Sequence, residues 1–233
     1  MNVRPVALLA ALLPFFAVHF TYLLAASNGT VDWCNPYVDS CTSISATGRK
    51  PPASYLFRAT MLPVAVLMMA YWWLNHTWLG ALHRSAGNHQ QRANHWMLGL
   101  GLLACIGLIM YVTVLGEKGD AWATQRRVGT ILFFSFTFIA QLLLLSQLRA
   151  LHVPGVNAVL LSLMGLVCVT LLAAGVLTVV LDAWDERWYE TVEDAFEWVL
   201  TLLLQSNFLL GYFVWRQAGW TLVVKERESN EVT

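Results

Sequence analysis

The stretch that decides the fold is residues 150–181, ALHVPGVNAVLLSLMGLVCVTLLAAGVLTVVL, which contains no Asp, Glu, Lys or Arg. A helix needs roughly 20 apolar residues to cross the hydrocarbon core of a bilayer, so this run can form one membrane-spanning helix. Five further charge-free runs share this property: 5–31, 59–83, 93–116, 128–148 and 198–215. Strands of a membrane barrel would be about half as long and would alternate in polarity. The sequence therefore predicts a bundle of helices.

Composition supports a membrane protein. Of the 233 residues, 58% are hydrophobic and 12% are charged, whereas soluble domains carry about 25% charged residues. Lys and Arg together number 14 and so do Asp and Glu, so no net charge favours a nucleic-acid partner. We predict an all-α, polytopic membrane protein with six transmembrane helices, no cofactor and membrane lipids as its partners. A membrane-protein partner or a second copy of the chain stays open.

The chain reads as one transmembrane domain, residues 1–233. An outer or lumenal loop is predicted over 26–54 and a cytosolic tail over 217–233. The first run could also be a signal peptide that ends at Ala25-Ala26-Ser27, but it is longer than the usual ~7–15-residue signal core, which favours a retained span. The predicted helices cover 5–25, 55–75, 96–115, 128–148, 156–181 and 192–215.

The orientation prediction comes from the acidic residues, because Lys and Arg are divided evenly between the two sides of the bundle. With an even division, the positive-inside rule favours neither orientation. The first, third and fifth loops hold nearly all the carboxylates, so we predict that they face outwards and that both termini are cytosolic. A bacterial inner membrane is the preferred location, with Golgi, lysosomal and plasma membranes as alternatives.

The first loop contains the polar segment CTSISATGRKPP, residues 41–52. The hydroxyls of Ser45 and Thr47, next to the conformationally free Gly48, could hold a polar headgroup. A solvated loop would have the same composition. Cys34 and Cys41 lie outside the spans, and they could form a disulfide if the loop faces an oxidising compartment.

The segment SISATGRKPP, residues 43–52, resembles the hallmark loop of the DRAM (damage-regulated autophagy modulator) family. That group includes the FGF-receptor-activating and post-GPI-attachment lipid-remodelling proteins, and its loop reads Tyr-Ile-Ser-Asp-Thr-Gly-x-x-Pro-Pro-Glu. The pair Glu197-Trp198 is similar to the Glu-Trp pair of the family's final helix. The resemblance implies a function in lipid handling or GPI-anchor lipid remodelling. Three residues replace the family's Tyr, Asp and Glu: Ser43, Ala46 and Ala53.

Polar residues at the membrane boundary fall in one leaflet under this topology. We predict that they form an outward-facing pocket for phospholipid or glycolipid headgroups, roofed by the first loop and open sideways to lipid. An ion-pair network that only pins the helix ends would use the same residues. The predicted headgroup-binding residues are Ser45, Thr47, Gly48, Arg58, Arg126, Arg127 and Glu197.

Three functions remain open from the sequence. The first is a non-catalytic lipid-binding or regulatory protein, the second a lipid acyltransferase or hydrolase, and the third a scaffold for protein partners. Catalysis would rest on His19 and Glu197, since no Gly-x-Ser-x-Gly or His-Glu-x-x-His signature occurs. Four further histidines lack the three- or four-residue spacing of metal ligands on one helical face, so we predict that they are solvated and that there is no metal site: His76, His83, His89 and His95.

Overall fold

The structure, a computed structural model, describes residues 2–87 and 91–222. Within these ranges, six helices are long and apolar enough to cross a membrane, so the predicted all-α bundle of six spans is confirmed. Two single-turn helices, α2 (Ile44–Thr47) and α7 (Glu186–Tyr189), lie outside the spans. The spans are α1 (Arg4–Ser27), α3 (Ala53–Ser85), α4 (Arg92–Thr113), α5 (Asp120–Ala150), α6 (Ala158–Trp184) and α8 (Glu193–Gln217).

Two helices are longer than their predicted bounds. Helix α3 continues to Ser85, where we predicted an end near residue 75, and its extension buries Trp78, Leu79 and His83. His83 is therefore not solvated, and its Nε2 lies 3.2 Å from the Gln147 side-chain oxygen. Helix α5 begins at Asp120 and so includes residues predicted to lie in a loop. Of the predicted tail, residues 223–233 lie outside the described residues, as does His89.

The spans form a closed ring in the order α1, α3, α4, α5, α6, α8, with α8 packed against α1. Because lipid is as apolar as a leucine side chain, close backbone approach and interhelical hydrogen bonds hold such a ring together. Helices α4 and α5 make the most extensive contact. There Gly107 faces Gly129, and a Cβ on Gly107 would lie 2.8 Å from the Gly129 carbonyl oxygen.

One end of the ring is closed by aromatic packing between α3 and α8. Tyr71 stacks on Trp215 with ring centroids 5.2 Å apart, and the Trp215 indole donates to the Asn75 side-chain oxygen at 3.0 Å. Further along, the Asn207 amide donates to the Gln141 side-chain oxygen at 3.1 Å. This end, where α1 begins and α8 ends, is called the terminal end below. The opposite end carries residues 28–52 and is called the loop end.

Helix α6 leaves the loop end open. Its buried residues, Leu160, Met164, Cys168 and Leu171, all lie in its first half. In that half the Arg149 guanidinium of α5 donates to an α6 carbonyl, that of residue 161, at 3.2 Å. The second half of α6 has no buried residue, so a gap remains between α5 and α6 at the loop end.

Candidate functional site

The first loop is fixed to the helices on two sides. The Trp198 indole of α8 donates to the Thr42 carbonyl at 2.8 Å, and the Ala195 backbone N–H donates to the Ser40 hydroxyl at 3.2 Å. Cys34 and Cys41 are disulfide-bonded, with Cα atoms 6.5 Å apart. The loop therefore rests on the start of α8.

Helix α2 gives the loop its polar face. Ser43 caps this helix, because its hydroxyl accepts the Ala46 backbone N–H at 3.0 Å. The same hydroxyl lies 3.0 Å from the Ser45 hydroxyl, to which the Arg49 guanidinium donates at 2.9 Å. Two serine hydroxyls and one guanidinium thus form a continuous hydrogen-bonded row.

The other two predicted loop residues face inwards. Thr47 is buried, and its hydroxyl donates to the Ile44 carbonyl at 2.7 Å. A Cβ on Gly48 would lie 2.8 Å from a Leu115 methyl group and 2.9 Å from the Phe57 ring. Thr47 and Gly48 therefore seat the loop on the bundle, whereas Ser45 faces outwards.

A polar cleft lies beneath the loop, between α5, α6 and α8. Its larger part has a volume of about 640 Å³, and a second part of about 390 Å³ extends towards α4. An inner apolar cavity of about 40 Å³ shares Thr130 and Glu197 with both parts. Six residues line both parts of the cleft: Ser45, Arg49, Thr130, Ile131, Glu193 and Glu197.

Glu197 occupies the centre of this cleft. The Ser45 backbone faces its carboxylate, and Arg49, Asp194 and Glu193 lie close enough to interact with it electrostatically. Arg126 and Arg127 of α5 line the part near α4. Three of the predicted charged residues therefore meet in the cleft, together with Ser45.

Tyr111 is a site residue that sequence analysis missed. It lines the inner cavity and the part of the cleft near α4. Its hydroxyl is buried and has no hydrogen-bond partner in the part of the chain that the structure describes, which is costly unless a ligand or water pairs with it. A lone tyrosine in an apolar run gave no signal beyond its polarity. Arg49, inside the quoted loop, was also missed, and Glu193 and Asp194 of α8 were not among the predicted headgroup-binding residues.

Arg58 is not among the residues that line either part of the cleft. Its guanidinium donates to the Leu115 carbonyl and lies 3.9 Å from the Glu117 carboxylate. Arg126 also serves this corner, because it donates to the Glu117 carbonyl at 2.8 Å. Both arginines donate to carbonyls of the turn that follows α4. Gly116 lies at this corner with φ +94°, and a Cβ there would lie 2.5 Å from the Arg49 carbonyl oxygen.

His19 is not joined to Glu197. Its Nδ1 lies 2.6 Å from the Phe15 carbonyl oxygen, and its Nε2 lies 3.0 Å from the Tyr37 hydroxyl. Its ring also meets the Trp198 ring edge-on, with centroids 5.5 Å apart. Both ring nitrogens thus have structural partners within the loop and α1.

Tyr189 lines the cleft beside the Glu193 carboxylate. Burial, followed by the nearby Glu193 carboxylate, raises the pKa of the Tyr189 phenol above its usual value, so this side chain stays neutral. Among the described residues, no group of three or more His, Cys, Asp or Glu side chains has an arrangement that could hold a metal ion. The site therefore offers hydrogen bonds and fixed charges.

A comparison with protein families identifies the family of this chain. The family model described as Frag1/DRAM/Sfk1/Cwh43P N-terminal domain matches residues 2–215, which include the first loop and the Glu197-Trp198 pair. The chain belongs to the Frag1/DRAM/Sfk1/Cwh43P family. The resemblance inferred from the loop is thereby confirmed. No curated protein and no solved structure matches the chain.

Proposed function

We propose that this family member binds a phospholipid or glycolipid headgroup in the cleft at the loop end and acts as a lipid-handling or regulatory protein without catalysis. The observation that carries the proposal is the cleft itself, in which Arg127 and Glu197 line a polar space at the end of a bundle whose outer surface is apolar. The loop end of the bundle lies at the membrane boundary, which is where the headgroup of a lipid lies.

The opening of the cleft supports lateral entry of a lipid. Ile131 of α5 and Val179 of α6 line its mouth, and their side chains are 56% and 68% exposed. Apolar side chains at the mouth can contact acyl chains while the headgroup enters the polar interior. A water-soluble ligand has no acyl chains to contact these apolar side chains.

Phosphate is the headgroup element that the arginines favour. The Arg127 side chain has no hydrogen bond or ion pair within residues 2–87 and 91–222, so its guanidinium is free to bind an anion. Guanidinium groups bind phosphate through two parallel hydrogen bonds. The unpaired Tyr111 hydroxyl in the same part of the cleft adds a third donor.

An acyltransferase or hydrolase has less support than binding. The residues nominated for it, His19 and Glu197, have separate partners, and the His19 nitrogens face a carbonyl and a phenol. We place the cleft in the outer leaflet of a bacterial inner membrane, with cytosolic termini, as part of the same proposal.

Native mass spectrometry with lipid analysis tests this function on protein purified in mild detergent. We expect the wild type to retain one phospholipid class, and we expect Arg127→Gln and Glu197→Gln to reduce its retention by about tenfold or more. That factor corresponds to the ~1.5–3 kcal/mol of a charge-assisted hydrogen bond. Arg92→Gln is the matched control, because Arg92 is exposed at the terminal end, where α4 begins.

Unchanged retention in both cleft variants would contradict the proposal. Retention lost equally in Arg92→Gln would also contradict it, since the lipid would then belong to the general annulus around the bundle. A melting curve of each variant separates loss of lipid from loss of fold.

A further inference from the structure

We propose that the headgroup carries a primary ammonium as well as a phosphate, as phosphatidylethanolamine does. This inference rests on the proposed function and adds the chemistry of the ligand. It comes from the way in which charges of opposite sign are distributed across the cleft. The two parts of the cleft are called the cationic lobe, about 390 Å³, and the acidic lobe, about 640 Å³.

The lobes differ in charge. In the cationic lobe, Arg126 and Arg127 join the shared Arg49, so three arginines face two carboxylates. In the acidic lobe, Asp194 joins the shared Glu193 and Glu197, so three carboxylates face one arginine. Helix α5 carries two of the cations of the first lobe, Arg126 and Arg127, and α8 carries the acids of the second. The fold therefore holds opposite charges on two walls of one cleft.

These charges do not neutralise one another in direct pairs. Within residues 2–87 and 91–222, the ion pair formed within 4.0 Å is Arg58–Glu117, which lies at the α4 corner. Arg49 interacts electrostatically with Asp194 and Glu197, but its guanidinium donates to Ser45. Asp194 and Glu197 are partly buried, and partly desolvated charges without partners are costly. A zwitterion that spans both lobes would give each wall a counter-charge.

A primary ammonium suits the acidic lobe better than a quaternary one. It has three N–H donors, and carboxylates accept such bonds strongly. A trimethylammonium group has no donor and is held by aromatic cages. Three aromatic residues also line this lobe, Phe134, Tyr189 and Phe196. The Tyr189 and Phe196 rings are tilted to each other with centroids 6.4 Å apart, and three carboxylates lie beside them.

The phosphate fits the cationic lobe. Arg127 is free within the described chain, and the buried Tyr111 hydroxyl there lacks a partner. An anionic lipid such as phosphatidylglycerol would fill this lobe but bring no cation to Asp194 or to the shared Glu193 and Glu197. The charge distribution thus favours a zwitterionic aminophospholipid over an anionic one.

A competition experiment on the full-length protein tests this inference. Delipidated wild-type protein is offered equal amounts of phosphatidylethanolamine, phosphatidylcholine and phosphatidylglycerol with identical acyl chains, and bound lipid is counted by native mass spectrometry. We expect about tenfold more bound phosphatidylethanolamine than either competitor. Asp194→Asn should reduce this preference, whereas Arg127→Gln should weaken binding of all three lipids. Glu186→Gln, a charge change on α7 outside the cleft lining, is the control.

The outcomes separate this inference from the function on which it rests. If wild type binds the three lipids equally and Arg127→Gln still weakens all of them, the zwitterion is wrong and the headgroup site stands. If phosphatidylcholine binds as well as phosphatidylethanolamine and Asp194→Asn changes neither, the ammonium assignment is wrong. If wild type binds none of the three, the proposed function fails as well. The wild-type competition needs no variant, so a variant that does not fold leaves the test intact.

Discussion

At the scale of single residues, two neighbours on α8 have different tasks. Successive residues of a helix point about 100° apart, so Trp198 turns towards the first loop while Glu197 faces the cleft. The Trp198 indole holds the Thr42 carbonyl, and the Ser45 backbone faces the Glu197 carboxylate. One turn of helix thereby positions the loop over the cleft and contributes a charge to it.

The Trp198→Phe variant isolates the first task. Phenylalanine keeps an aromatic ring but removes the indole N–H, which leaves the Thr42 carbonyl without this donor. We expect a loss of about 1–3 kcal/mol of stability, measured as a lower melting temperature in detergent, and faster proteolysis of the first loop.

Trp184→Phe is its control, because Trp184 is 87% exposed and should tolerate the change. Equal melting temperatures for wild type and Trp198→Phe would show that the indole bond does not hold the loop.

At the scale of helices, the α4–α5 contact controls one wall of the cleft. A Cβ on Gly129 would lie 2.6 Å from the Gly107 carbonyl oxygen and 2.8 Å from the Tyr111 backbone nitrogen. Any side chain there must push α4 away from α5. Because Tyr111 and Arg127 come from these two helices, the cationic lobe depends on their close approach.

We therefore expect Gly129→Ala to lower stability by about 1–3 kcal/mol, as overpacking usually does, and to reduce phospholipid retention. Melting temperature and native mass spectrometry measure the two effects. Gly99→Ala on α4 is the matched control, since a Cβ there meets nothing within 4 Å and alanine favours a helix over glycine. Similar losses in both variants would contradict a specific role for the α4–α5 contact.

The sequence predicts the number and type of these elements better than their ends. Charge-free runs identify all six spans because lipid excludes charge over the length of a crossing helix. The predicted bounds, 55–75 and 128–148, are shorter than α3 and α5, because a helix can continue beyond the membrane when it has something to pack against, as Trp78 and His83 do. Arg126 lies inside α5 for a similar reason, since it donates to carbonyls of the turn that follows α4.

The residues of the cleft are predictable only in part. Polarity in an apolar chain points to Ser45, Arg127 and Glu197, which line the cleft. It points equally to Arg58, whose partners are a carbonyl and a carboxylate at the α4 corner. Which polar residues face each other depends on the order of helices in the ring, and that order is a tertiary property. Whether the Tyr111 hydroxyl finds a hydrogen-bond partner also depends on tertiary packing, so the sequence alone does not predict it.

At the scale of the whole molecule, the bundle is asymmetric along its axis. Aromatic rings and buried amides close the terminal end. There Tyr71 stacks on Trp215, and the Asn75 side-chain oxygen accepts a hydrogen bond from the Trp215 indole. The loop end holds the cleft and its opposite charges. The second half of α6, without a buried residue, leaves the cleft open to the side. Under the proposed function, this opening is the route by which a lipid enters from one leaflet.

The most direct test of this account is an experimental structure of the protein in nanodiscs that contain phosphatidylethanolamine and phosphatidylglycerol. We expect density for one headgroup between α5 and α8, with its phosphate at Arg127 and its ammonium at Asp194, and acyl chains that leave between Ile131 and Val179. A cleft closed by α6 packed along α5, or an open cleft with lipid only on the outer surface of the bundle, would contradict the account.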